Sequence, residues 1–422
     1  MEKITSLFVS IFLLFFASCK KDEIKFLNKG FVKVVSTDSN MVSIKSFETI
    51  DKHIISVCRS LNNLDGDDNV SPGLIVKFDQ NGNVVMRKRM SNRNKALWGI
   101  LPLRNGGFIS YGFEQGFTNK NYICKYSDQL ELISETEIIN IGNPGNNLGI
   151  TPPNIIELNN GNFVIVFSAN GDGKGYLRFT DNNFNIFSTR TFQAPVNTNY
   201  FGCFFNGNAQ INDSTLGFLA SSASQAGKLN YNSMLIRTDL EGDLKSRTFI
   251  EDSTLFETTN CLIKNENGIL GVTSTMPDLL NTKGTFNNYF DDRSAQLIAG
   301  TINLLKFDEL GNFISRTKVN SYPGNGIIFS ANPTKDGGFI LCGTVNQSNF
   351  VTTSDYTQMF LLKLDANFSV QWSKAYNSVY AAFGVDAFEL KSGGYLITGH
   401  QRTFNKRFDL MIMKTDENGE VN

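Results

Sequence analysis

The chain has 422 residues, of which 19% are charged, and its formal net charge is −1. This balance gives no basic surface for nucleic acid and no charge excess for an anionic membrane. Phe is abundant, with 36 residues, Pro is scarce, with 9, and Gly and Asn cluster between short apolar runs. This composition predicts an all-β protein with many short strands and turns.

Residues 1–18 have the pattern of a secretory signal peptide. Lys3 precedes an apolar stretch, residues 7–16, that is too short to cross a bilayer, which requires about 20 residues. The next residues, Ala17-Ser18-Cys19 after Phe16, resemble the lipobox of bacterial lipoproteins. The resemblance implies cleavage before Cys19, attachment of diacylglycerol to its thiol and stable anchoring by several acyl chains. The alternative is an ordinary signal peptide followed by a cysteine without lipid.

Residues 19–30 form the expected lipidated tether. The sequence Lys20-Lys21-Asp22-Glu23, directly after the cysteine, resembles the surface-export signal of Bacteroidota lipoproteins. As an alternative, the same segment is only a solvated tether. The lipoprotein resemblance implies attachment to the outer membrane through the lipid, and the export-signal resemblance implies the cell surface.

A single pattern recurs across residues 31–422: a turn, an apolar strand, a second strand and a turn of the form Lys/Arg-x-Asp. The first of these turns recurs at nearly constant spacing, with one longer step between the fifth and sixth copies. A period of about 54 residues leaves room for four strands, and seven copies therefore predict a seven-bladed β-propeller. The turn positions are Lys52, Gly107, Gly161, Thr215, Gly268, Gly338 and Gly394.

The repeat also predicts the details of a blade and the closure of the ring. The strands of the second blade are expected at residues 96–103, 108–113, 121–126 and 130–137. Gly pairs before the second strand are expected at positive φ, and the Asp of the second turn is expected to accept backbone N–H groups. The last copy ends without an outer strand, and residues 30–35 have the alternation to supply it. An N-terminal strand would then remove the open sheet edge.

The sequence Asp365 followed by Trp372 resembles the delta-60 and quinoprotein-like repeats of bacterial propellers, in which an outer strand carries Trp. Only one copy carries this Trp, so no quinone and no other cofactor is expected. The resemblance is to the fold and covers residues 31–422.

Neither the cysteines nor the histidines form a recognisable site. Five cysteines follow Cys19, with no close pair of the kind that zinc requires, and Cys58 and Cys342 lie in apolar runs that predict burial. The sequence selects no disulfide pair. The two histidines, His53 and His400, have no nucleophile motif beside them, so no catalytic residue is assigned.

A short acidic segment resembles the beginning of a calcium loop. It starts at Asp65-Gly66-Asp67, but Val70 and Val76 stand where the Gly and Glu of that motif are required. No metal site is assigned.

The one longer step of the repeat places an insertion in blade five, at residues 275–300. Phe286, Tyr289 and Phe290 within it are candidate ligand-binding residues, because exposed aromatic rings stack on sugars and anchor protein partners. As an alternative, these rings pack on their own blade. The sequence favours a binding or scaffold module for a glycan or protein partner and leaves the oligomeric state open. The alternative function is a polysaccharide-acting enzyme with carboxylates, such as Asp386 or Glu257, at the channel mouth.

Overall fold

The fold is all β. The computed structural model describes residues 30–36, 41–60, 73–89, 95–114, 120–139, 154–169, 174–193, 204–223, 231–250, 256–276, 300–320, 325–346, 357–378, 380–403 and 408–421. These residues form seven antiparallel sheets of four strands each, arranged as a seven-bladed β-propeller. The predicted fold class and the number of blades are therefore confirmed.

Most blades consist of four strands that follow one another along the chain. The first half contains β1 (Phe31–Val35), β2 (Met41–Glu48), β3 (Ile54–Ser60), β4 (Leu74–Phe78), β5 (Val84–Arg89), β6 (Lys95–Pro102), β7 (Phe108–Glu114), β8 (Lys120–Tyr126), β9 (Leu132–Ile139), β10 (Asn154–Glu157), β11 (Phe163–Ala169), β12 (Lys174–Thr180) and β13 (Ile186–Gln193). The second half contains β14 (Phe204–Asn212), β15 (Thr215–Ala223), β16 (Tyr231–Thr238), β17 (Leu244–Ile250), β18 (Phe256–Asn265), β19 (Gly268–Met276), β20 (Thr301–Phe307), β21 (Phe313–Lys318), β22 (Asn325–Pro333), β23 (Phe339–Asn346), β24 (Thr357–Leu364), β25 (Val370–Tyr376), β26 (Ala382–Glu389), β27 (Tyr395–Arg402) and β28 (Phe408–Thr415).

Blade one is β2–β5, and each later blade takes the next four strands, up to β22–β25 in blade six. Blade seven is β26, β27, β28 and β1. The inner strand of each blade contacts the inner strands of both neighbours, and β26 contacts β2, so the seven blades close into a ring.

The N-terminal strand closes blade seven, as predicted. β1 pairs with β28 in antiparallel register, with Phe31 opposite Lys414 and Val35 opposite Leu410. Val421 follows the last turn and packs with Val32 against the core between blades six and seven. Blade seven is thus assembled from both ends of the chain, which leaves no free edge on β28.

The hydrophobic core lies between the blades. Among the described residues, the buried apolar side chains form seven clusters, one at each boundary between adjacent blades. Each middle strand packs against a neighbouring blade on both faces, which explains continuous apolar runs such as Phe360-Leu361-Leu362. Cys58 and Cys342 belong to these clusters and are fully buried, as predicted.

The two faces of the ring differ in their connections. One face, here called the turn face, carries the links from inner to second strand and from third to outer strand, all of which are short turns. The opposite face, here called the loop face, carries all other links, and these range from short connections to the long insertion between β19 and β20. Variation in length is therefore confined to the loop face, where binding surfaces of such scaffolds usually develop.

The outer turns confirm the expected role of aspartate. In the turn after β24, the Asp365 carboxylate accepts hydrogen bonds from the backbone N–H groups of Asn367 and Ser369, both at 2.8 Å. At the fourth position of this turn, four blades have a Gly at positive φ. In the other three blades this position holds Leu130, Phe184 or Phe368, at φ of 62 to 66°. Their side chains are buried, and their contacts with the core offset the backbone strain.

Candidate functional site

Two of the sequence-predicted sites lie outside the described residues. They are the lipidation site, Cys19, and the aromatic trio Phe286, Tyr289 and Phe290. The trio falls between β19 and β20, a connection of the loop face. The calcium-like segment begins within residues 61–72, which also lie outside the described residues. Val76, which stands where the calcium motif requires Glu, lies in β4.

The inner strands carry a β-bulge at equivalent positions in six blades. The register skips one residue in each of these strands: Ile44, Trp98, Asn206, Asn260, Phe329 and Val385. A bulge reorients the following side chains and increases the local twist. Lys45 and Asp386, both directly after a bulge, are charged and belong to neighbouring inner strands.

Asp386 is a structural carboxylate that joins three blades. It is 1% exposed and accepts hydrogen bonds from the Ser46 backbone N–H of blade one, at 3.0 Å, and from Asn332 Nδ2 of blade six, at 2.9 Å. Burial raises the pKa of this carboxyl, and the nearby Lys45 ammonium opposes the shift. Ser46 Oγ in turn donates to Thr398 Oγ1 at 2.8 Å. The carboxyl group is surrounded by protein and its hydrogen bonds hold the ring together.

Glu257 has a comparable role at the boundary between blades four and five. It is 1% exposed and accepts hydrogen bonds from Ser233 Oγ at 2.7 Å and from Thr273 Oγ1 at 2.5 Å. Arg316 NH2 lies 3.1 Å from Glu257 Oε2 and completes the set. Glu257 and Asp386 share no hydrogen-bonding partner, and the geometry does not bring them together as a carboxylate pair.

His400 is packed as an aromatic ring. It stacks on Phe383, with centroids 5.0 Å apart and planes at 16°, and meets Phe408 edge-on at 5.1 Å. Burial lowers the pKa of His400 to about 3, so the ring is neutral at pH 7. A side chain held in this state is a poor proton acceptor.

Other site types are not found in the described part of the chain. Its His, Cys, Asp and Glu side chains form no group of three or more that could hold a metal ion. Its cysteines, Cys58, Cys124, Cys261 and Cys342, are buried thiols that form no disulfide. None of its segments is a helix of the length and apolarity that a membrane span needs.

A groove of about 550 Å³ opens between blades six and seven on the turn face. Its walls include Trp372 of the outer strand β25 and Tyr395 of β27, whose rings meet edge-on at 5.7 Å and 63°. Trp372 is partly exposed, whereas Tyr395 is buried. The indole packs on the blade-seven turn, where a Cβ added at Gly419 would lie 2.9 Å from the ring. This volume lies in the range typical of small-ligand sites.

The cation of the Lys/Arg-x-Asp turn makes different contacts at this boundary. In blades one and four it extends to the outer turn of the next blade. Lys77 Nζ donates to Asp128 O at 2.9 Å, and Arg237 donates to the carbonyl of Leu310. In blade six, Lys363 Nζ instead binds Asp336 of its own blade, at 2.8 Å and 3.1 Å.

Sequence reasoning did not identify the groove, although one signal for it was present. Trp372 pairs with Lys363 across β24 and β25. In four other blades the residue at this outer-strand position is Ser: Ser134, Ser188, Ser246 and Ser315. Alignment of the copies by strand pairing would have marked Trp372 as exceptional.

The polar side chains of the groove are largely paired with one another. Lys335 Nζ lies 3.3 Å from Glu389 Oε1, and the Lys335 backbone N–H donates to Glu389 Oε2 at 2.7 Å. Lys363 and Asp336 form the second ion pair. Desolvation alone would raise the pKa of Asp336, but hydrogen bonds from Lys363 and Thr334 outweigh it and lower this pKa to about 2. Two cations and two anions thus neutralise each other and frame the aromatic walls.

Comparison with known proteins supports the fold. The sequence matches no protein-family model, and no curated protein is similar to it in sequence. An ulvan lyase of polysaccharide lyase family 25 superposes with a TM-score of 0.57 at 10% identity, over 92% of this chain and 97% of that one. A protein of unknown function from Dyadobacter fermentans gives a TM-score of 0.50 at 12% identity, over 92% and 98%.

The apocarotenoid oxygenase of Synechocystis, as a Trp149Ala mutant, gives a TM-score of 0.51 at 10% identity, over 94% of this chain and 96% of that one. The lyase and the oxygenase differ in activity, and all three proteins share the propeller architecture with this chain. At such low identity the similarity shows the fold alone.

Proposed function

We propose that this protein is a lipid-anchored, extracytoplasmic β-propeller that serves as a binding or scaffold module for a glycan or protein partner at the outer membrane. The lipobox-like residues before Cys19 support the anchor, and Lys20-Lys21-Asp22-Glu23 supports display at the cell surface. The buried acids Glu257 and Asp386 are engaged in joining blades, so neither supports catalysis.

The observation that carries the proposal is the position of β1. Phe31 pairs with Lys414, two residues before the turn that begins at Asp416, so the chain enters the ring at the turn face. The tether between Cys19 and Gly30 spans at most about 40 Å when extended. A lipid on Cys19 would therefore keep the turn face toward the membrane and present the variable connections of the loop face outward.

The anchor is tested by substitution of the lipidation site. We expect Cys19→Ala to leave the fold unchanged and to release the protein into the soluble fraction, because the acyl chains supply the membrane affinity. Cell fractionation of the full-length protein measures this, with Cys203→Ala as a control that should remain in the membrane. Retention of the Cys19 variant in the membrane fraction would contradict the lipoprotein assignment.

The binding function is tested on soluble protein that starts at Lys20. A glycan array measures binding, and analysis of the incubated oligosaccharides measures product formation. We expect binding without turnover, and loss of that binding in the Phe286, Tyr289 or Phe290 alanine variants would assign it to the insertion of blade five. Turnover would contradict the module proposal and favour the alternative, a polysaccharide-acting enzyme.

A further inference from the structure

We propose that the groove between blades six and seven is a binding site for a neutral saccharide. This inference rests on the proposed function as a binding module and assigns a ligand class to one surface of it. The groove lies on the turn face and is therefore separate from the connections of the loop face.

The aromatic walls provide the apolar part of such a site. A pyranose ring has a flat C–H face that packs on aromatic surface, while its rim carries hydroxyl groups. Trp372 is partly exposed, is fixed by its contact with Gly419 and is supported edge-on by Tyr395. Tyr376 Oη donates to the Gly419 carbonyl at 2.8 Å and holds the same turn in place. The wall is thus preorganised before any ligand arrives.

The polar rim has hydrogen-bonding capacity that suits hydroxyl groups. Gln371, Glu417 and Asn418 line the groove and are exposed. Within the described residues, the Glu417 carboxylate makes no ion pair. An amide both donates and accepts, and a carboxylate accepts, so these groups match hydroxyls, which do both.

The charges of the groove disfavour an ionic ligand. Among the residues that line the groove, Lys335 and Lys363 offset Glu389 and Asp336, and Glu417 adds a negative charge that disfavours an anion. The Lys374 ammonium, which is paired with Glu420, lies 5.9 Å from the centre of the Trp372 ring and already occupies the cation position at the indole. A neutral polyhydroxylated ligand meets neither obstacle.

The test uses the fact that the chain contains two tryptophans. In a Trp98→Phe protein, Trp372 is the only indole and reports directly on the groove. The probes are neutral tetrasaccharides of β-1,4-glucan, β-1,4-xylan, β-1,4-mannan and α-1,4-glucan. We expect at least one of them to change the Trp372 fluorescence saturably.

Calorimetry on variants assigns the site. Trp372→Ala should weaken binding of the same tetrasaccharide at least tenfold, and Gln371→Ala and Glu417→Ala about threefold each, because each of the latter two removes one hydrogen-bonding side chain. The last two residues are exposed, so these variants keep the fold even if Trp372→Ala does not. Phe187→Ala is the control, since Phe187 is an exposed aromatic residue of the outer strand β13. The affinity of this variant for the tetrasaccharide should equal that of the unmodified protein.

Three results would overturn the inference. If a tetrasaccharide binds but all three groove variants bind it unchanged, the protein is a glycan-binding module and the site lies elsewhere. If choline changes the Trp372 fluorescence and no saccharide does, the groove binds organic cations. If neither the tetrasaccharides nor the glycan array show binding, both this inference and the glycan branch of the proposed function fail, and the protein-partner branch remains.

Discussion

Buried polar side chains of the inner and middle strands connect blades that are distant in sequence. Glu257 accepts hydrogen bonds from Ser233, in the preceding blade, and from Arg316, on the outer strand of its own blade. Asp386 connects to Ser46, near the opposite end of the chain. Because Glu257, Asp386, Ser46 and Ser233 are buried, each partner that is lost leaves a buried group unsatisfied.

We expect Glu257→Gln to lower the free energy of unfolding by about 1–3 kcal/mol, because the neutral amide leaves Arg316 without its carboxylate and provides one acceptor in place of two. Urea unfolding followed by circular dichroism measures this change. Glu309→Gln, at an exposed position of an outer turn, is the matched control and should unfold at the midpoint of the unmodified protein. Equal midpoints for both variants would show that the Glu257 network does not stabilise the ring.

His400 predicts a pH dependence of stability. Its pKa is lowered to about 3 in the folded protein, against about 6.5 in an unfolded chain. The unfolded state therefore takes up the proton first, and the contribution of this residue is complete above about pH 6.5 and is lost progressively as the pH falls toward 3. Between pH 7 and pH 4 the loss is on the order of 2–3 kcal/mol.

The measurement is the difference in unfolding free energy between His400→Phe and the unmodified protein at several pH values. The contribution of Asp386 to the unfolding free energy changes with pH in the opposite direction, because burial raises the pKa of its carboxyl group. This contribution is the same in both proteins and cancels from the difference. We expect the variant to lose less stability on acidification. A His400→Phe profile parallel to that of the unmodified protein would disprove the assignment.

At the scale of the strand and turn, the repeat was predictable because its markers are local in sequence. The pair Gly393-Gly394 has φ of 89° and 72°, and the turn that starts at Asp416 is capped by that residue's own carboxylate. The bulges of the inner strands were not predictable, since the skipped residues share no side-chain type. The groove was not predictable either, because Trp372 and Gly419 are brought together only by the packing of one blade on the next.

The two glycines of one turn predict different costs of substitution. Both have positive φ, so replacement by alanine strains the backbone at either position. A Cβ at Gly393 would have the end of the flexible Glu417 side chain as its nearest neighbour, at 3.4 Å, whereas a Cβ at Gly394 would press against the backbone carbonyl of Thr415. We expect Gly393→Ala to cost about 1 kcal/mol and Gly394→Ala about 3 kcal/mol or more. Urea unfolding of the pair measures the difference, and equal costs would refute the steric argument.

At the scale of the whole molecule, stability depends on the ring as a unit. No blade has a core of its own, since among the described residues the apolar clusters lie between blades. Seven boundaries can be filled only if the ring is closed, and β1 contributes Val35 to the boundary between blades seven and one. The sequence indicated this closure because residues 30–35 repeat the alternation of an outer strand and the last copy lacks one.

We expect a chain that begins at Ser36 to be less stable than one that begins at Gly30 by about 3 kcal/mol or more, because it loses the burial of Val35 and the contacts of Phe31 and Val32. It should also self-associate, since β28 then presents an unpaired edge. Urea unfolding and light scattering after size exclusion measure the two effects. A synthetic peptide of residues 30–36 should restore the monomer and raise the unfolding midpoint, because an added strand re-forms the register of Phe31 opposite Lys414. A truncated chain that stays monomeric and equally stable would show that the contacts of the other strands suffice to hold the ring, and that β1 only covers β28.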